Sequence, residues 1–180
     1  VPAQGSDIYR NFVLGGRGPD RNRPVKAWEL DPGVPRAVHH ALLSTDAHGW
    51  ARREDARDAP LGFGGMELGD VQAPDGFYLV WAPGRQPREN PAGLTWIMGP
   101  GVDLVLQLHM RPTGKAERVA ARIGLWFADA PSPRPAFSLR VGDVDIDIPA
   151  GARGHRIEDR FTLPIDVTVV SIFPHAHYLA

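Results

Sequence analysis

Apolar and polar residues alternate with a period of two through much of this chain, in short stretches that end at glycine or proline. The clearest is Asp103–Met110: Leu104, Leu106, Leu108 and Met110 fall on one side, Asp103, Val105, Gln107 and His109 on the other. Successive side chains of a strand point to opposite faces. The leucine face is therefore predicted to be core, and His109, beside Gln107, to point away from it toward something polar or a ligand. Further strands are predicted over 8–14, closed by Gly15-Gly16, and over 25–30, ended by the Asp31-Pro32-Gly33 turn. Others are predicted over 36–44, 77–81, 122–127, 137–141, 144–148 and 161–173. Residues 51–60 mix charges of both signs and read as a solvated loop or short helix. Residues 61–76 hold five glycines and read as a mobile connection. The punctuation at 111–115 is a candidate linker. With almost no helical periodicity, the predicted class is all-β, an antiparallel jelly-roll-like β-sandwich.

Composition narrows the function classes. With Gly 20 and Pro 18 in 180 residues, helices are disfavoured and many short strands joined by turns are favoured. An apolar fraction of 43% is enough to bury a core. A net charge of -1 offers no electrostatic case for nucleic acid or an anionic membrane. No apolar run approaches the roughly 18 residues that span a bilayer. The chain begins at Val1 without a signal-peptide pattern and reads as a piece of a longer precursor. Zero cysteines exclude disulfides and thiolate metal sites, without naming a compartment.

The candidate chemistry lies in the histidines. Of seven, five fall into three groups: His39-His40, His109 and His175-x-His177. Imidazole is the commonest protein ligand for redox metals, and structural zinc usually has at least two thiolates, so the set points to copper more than to structural zinc. Val167, Val169, Phe173, His175 and His177 share the odd positions, so this last pair continues an apolar face. Two desolvated imidazoles in succession are best accommodated by a metal that holds both neutral. His39 and His40 are adjacent, and adjacent strand residues face opposite ways; both reach one metal only if the backbone twists or bulges there. With His109 they make a three-nitrogen set. Met110 faces away from His109 and is excluded from it. His48 and His155 read as loop histidines without a role. Asp143, Asp145 and Asp147 read as the wet face of a half-buried strand, with a calcium cluster as the alternative.

Four runs together resemble the copper type II, ascorbate-dependent monooxygenases, the family of peptidylglycine alpha-hydroxylating monooxygenase and dopamine beta-monooxygenase, and most closely their bacterial branch. They are Ile-Tyr-Arg-Asn-Phe-Val-Leu at 8–14, Val-His-His-Ala-Leu-Leu at 38–43, Leu-Val-Leu-Gln-Leu-His at 104–109 and Phe-Pro-His-Ala-His at 173–177. The ordered set carries the resemblance, which spans nearly all of the chain. It implies two jelly-roll domains with one copper each: a complete one over 1–112 and the beginning of another over 113–180. His39, His40 and His109 would hold an electron-transfer copper. His175 and His177 would be two of three ligands to a catalytic copper, whose methionine ligand lies beyond Ala180. Gln107 is a candidate for orienting a ligand or water from behind the first copper.

The resemblance also implies O2 as a substrate, ascorbate as the reductant, a small-molecule or peptide-like substrate hydroxylated at a C–H bond, and a periplasmic or secreted location. The 180-residue chain by itself is expected to be inactive. Phe173 stands where peptidylglycine hydroxylases place an arginine for the peptide carboxylate, which argues against a peptidylglycine substrate. Two other readings use the same residues: a non-catalytic copper-binding or interaction β-sandwich of the cell envelope, and a zinc hydrolase built on the three histidines.

Overall fold

A computed structural model describes residues 1–15, 18–142 and 146–174. The chain divides into two compact units, Val1–Phe137 and Ser138–Ala180. The first is an all-β sandwich of two antiparallel sheets. One sheet runs in the order β4 (Phe63–Gly64), β1 (Ile8–Leu14), β8 (Asp103–Met110), β3 (Val38–Asp46) and β5 (Leu79–Trp81). In the other, β2 (Arg23–Asp31) pairs with β6 (Arg88–Glu89), β7 (Trp96–Met98) and β9 (Arg122–Phe127). A single α-helix, Trp50–Asp55, occurs among the described residues.

The main core lies between the sheets and follows the predicted alternation. Leu104, Leu106, Leu108 and Met110 of β8 pack with Ala41 and Leu43 of β3, Val25, Trp28 and Leu30 of β2, and Trp96 and Met98 of β7. The opposite side of β8 is not open to water as one-sided alternation implies. All eight residues of β8 are buried, because a second, smaller cluster covers its outer face. There Val105 meets Ala51 of the helix and Phe63, with Val13, Trp50, Leu68 and Val71 packed around them. His109 thus points away from the main core, as predicted, but it is buried rather than open to water.

The glycine-rich connection over 61–76 is tied down rather than loose. Its carbonyls at Phe63 and Gly65 accept from the buried Asn11 amide at 3.3 and 3.0 Å. Gln72 and Thr45 exchange backbone bonds at 2.8 and 2.9 Å. Gly62 makes the close approach possible: its φ is +75°, and a Cβ there would lie 2.5 Å from the Asn11 carbonyl oxygen.

The strand predicted over 122–127 forms at those residues, and as β9 it pairs with β2 inside the first unit. It lies beyond the candidate linker at 111–115, so the first unit extends past that point. From Phe137 on the described residues carry no strand, contrary to the sequence expectation for 137–141, for 161–173 and for the described part of 144–148. An alternating pattern supplies a face but not a partner, and a strand without a ladder leaves its backbone groups to water. Phe161, Ile165, Val169 and Ile172 are accordingly exposed. His175, His177, Asp143 and Asp145 lie outside the described residues.

Candidate metal centre

His39 and His40 stand at an irregularity in β3. Against β8 the register runs Val38 opposite Met110, then His40 opposite His109, then Ala41 opposite Leu108, with a shift between Val38 and His40. One residue is therefore extra on the β3 side, and His39 and His40 together oppose His109. This is a β-bulge, which bends the strand and re-aims side chains. It is the condition that lets two adjacent histidines turn toward one point. The packing agrees: Val38, Ala41 and Leu43 all join the main core. The spacing of three between Val38 and Ala41 fits only if an added residue lies between them.

The three rings converge. Each offers one ring nitrogen such that the three atoms lie within 4.8 Å of one another. The Nδ1 atoms of His40 and His109 are 3.4 Å apart. Ring centroids are 4.9 Å apart for His39 and His109, 4.8 Å for His40 and His109, and 5.4 Å for His39 and His40. Burial is graded across the site: His39 is exposed, His40 half-buried and His109 buried. An ion thus has an open side to enter by and a fixed ligand at the back.

Two residues not singled out from the sequence hold His109. Its Nε2 lies 2.8 Å from Oδ2 of Asp7, and the Tyr9 ring stacks on it at 4.2 Å and 17°. Tyr9 is the cross-strand partner of His109 on β1, as His40 is on β3. The imidazole is flanked on both sides because β8 lies between those two strands. The available signal was positional: Asp7, Tyr9 and Asn11 are polar residues that alternate along the chain.

The approach to the bulge is anchored too. Pro35–Ala37 forms a short 3-10 turn, and its Ala37 carbonyl accepts from the Arg111 amide at 2.9 Å. The Arg36 side chain donates through Nε to Glu117 at 3.0 Å, and Thr113 donates to the same oxygen at 3.1 Å. Burial pushes the Glu117 carboxyl up, but these hydrogen bonds, Arg36 first, bring it below the ordinary carboxylate value.

Gln107 is buried on the same side of β8 as His109, and its amide nitrogen donates to Asn11 Oδ1 at 2.9 Å and to the Met66 carbonyl at 3.0 Å. It joins β8 to β1 and to the glycine-rich loop. His48 and His155 are exposed and lie outside any strand or helix, and Met98 is buried in the main core.

The donor set fits a metal. Two nitrogens bound to one ion at about 2.0–2.1 Å stand about 3.3–3.4 Å apart at a tetrahedral angle and about 2.9 Å at a right angle. The separation of 3.4 Å between His40 and His109 falls at the first of these. Histidine is a ligand only when its binding nitrogen is bare, and here the opposite nitrogen of His109 already has a carboxylate partner. Among the described residues this is the group of three or more ligand-type side chains close enough to share an ion. No family model, no curated protein and no solved structure matches the chain.

Proposed function

We propose that His39, His40 and His109 hold a copper ion that passes electrons within a copper-dependent monooxygenase. The full enzyme would hydroxylate a C–H bond of a small or peptide-like substrate with O2 and an external reductant such as ascorbate, in the periplasm or outside the cell. One observation supports the reading above the others: a β-bulge turns two adjacent histidines toward a third on the neighbouring strand. A bulge leaves an unpaired residue and disrupts the ladder, so it is a feature kept for what it positions.

Imidazole ligands suit a copper that cycles between Cu(I) and Cu(II), which is the one-electron chemistry the ion would supply. The chain's own part is to bring three ring nitrogens together, to hold His109 between Tyr9 and Asp7, and to keep one side open at His39. His175 and His177 are assigned to the second, catalytic copper on the resemblance alone.

The test is metal counting on the purified chain. Copper should bind the three-histidine site at one per chain, as Cu(II) with nitrogen hyperfine structure in its electron paramagnetic resonance spectrum, and ascorbate should bleach that signal. His109→Ala should lose this copper. A chain that takes zinc stoichiometrically and leaves copper in solution would overturn the reading in favour of zinc chemistry. A copper that ascorbate cannot reduce would leave a non-catalytic copper-binding sandwich.

A further inference from the structure

We infer that Asp7 is a positioning residue for this metal site: by binding Nε2 of His109 it commits that ring to the Nε2–H tautomer and presents Nδ1 as the ligand. The inference rests on the metal-site reading and adds to it the residue that fixes the orientation and tautomer of His109.

A neutral imidazole has one N–H and one bare nitrogen, and either arrangement is accessible unless a partner chooses. Around His109 the partners are unequal. Nε2 lies 2.8 Å from a carboxylate oxygen, which accepts but cannot donate when ionised. Nδ1 lies 3.4 Å from Nδ1 of His40, inside the cluster of candidate ligand atoms. The proton therefore belongs on Nε2, and the bare nitrogen faces His39 and His40. A flipped ring would set a bare nitrogen against the carboxylate or an N–H into the metal site, and both are unfavourable. Tyr9, stacked on the ring at 4.2 Å, restricts the turn that such a flip needs.

Asp7 also brings a negative charge close to a site that would hold a cation. Its side chain is 30% exposed and that of His109 is 6% exposed. The contact thus lies at the margin of the covered layer, where a carboxylate keeps some water and still acts on a buried ring. Groups in this position behind a metal-bound histidine commonly change metal affinity by about 10–100-fold.

The experiment uses the 180-residue chain. In the copper-free protein at neutral pH, the 15N resonances of His109 should show a protonated Nε2 and a bare Nδ1, and Asp7→Ala should turn this into a mixture. Copper affinity, measured by competition with a chelating indicator, should fall about 10–100-fold in Asp7→Ala. It should fall less in Asp7→Asn, whose amide oxygen still accepts. Asp7→Asn nearly conserves shape, so it carries the comparison if the alanine variant fails to fold. A bare Nε2 in the wild type overturns the inference. So does unchanged affinity in both variants while His109→Ala loses the copper, and that result leaves the metal site standing. If the wild type binds no copper, the metal reading fails by itself, and the tautomer measurement still decides what Asp7 does to the ring.

Discussion

The Nδ1 atoms of His40 and His109 meet at 3.4 Å across neighbouring strands where the register shifts by one residue between Val38 and His40. Take the inserted residue away and Val38, Ala41 and Leu43 regain a plain alternation on the core face. The packing of the core thus does not require the bulge.

That division of labour makes a prediction about His39. Its side chain is exposed, so His39→Ala should change unfolding free energy by no more than about 0.5 kcal/mol, the usual span for surface substitutions. Copper affinity should nevertheless drop by more than tenfold. A denaturant titration and a chelator competition on the same sample check both halves. Undiminished copper binding in this variant would remove His39 from the ligand set.

The two-sided burial of β8 predicts that both of its faces matter. Leu106, 2% exposed in the main core, should cost about 2–5 kcal/mol when replaced by alanine. Val105, 0% exposed on the other face, should cost about 1.5 kcal/mol or more, counting about 0.8 for each carbon removed. Equilibrium unfolding of the two variants separates this arrangement from a sheet with one wet face, in which Val105→Ala would be nearly silent.

Acid should loosen the support of the bulge through Glu117. Its carboxyl is held below the ordinary value in the folded chain, because the hydrogen bonds from Arg36 and Thr113 outweigh burial. A group depressed on folding contributes stability that is fully present above its unfolded value, about 4.3, and is lost as pH falls through the lower folded value. The melting temperature should therefore decline below about pH 4.3 with a component that Arg36→Ala removes. An Arg36→Ala protein whose acid limb superimposes on that of the wild type would show that the pair contributes nothing there.

Much of the sandwich was legible along the chain. Ile8–Leu14, Asp103–Met110 and Arg122–Phe127 form as strands over the predicted residues. Alternation with a period of two and glycine or proline at the ends are local properties, and a strand obeys them locally. The face of β8 that meets the other sheet was readable for the same reason. So was the proposal that His39, His40 and His109 form one group, with its stated requirement for a twist or bulge.

Tertiary structure decided the rest. No local pattern shows that a helix and a glycine-rich loop cover the outer face of β8 at Val105, because Trp50, Ala51, Phe63, Leu68 and Val71 are all distant from it in the chain. Asp7 and Tyr9 reach His109 through the β1–β8 register, a long-range pairing that neither segment specifies alone. The same limit explains the described part of 138–174, where alternation is present and strands are not. What the sequence determined by itself is which side chains share a face and where strands start and stop, since both follow from backbone geometry. Which faces are covered, and which nitrogen of His109 meets a carboxylate, depended on partners that only the folded chain brings together.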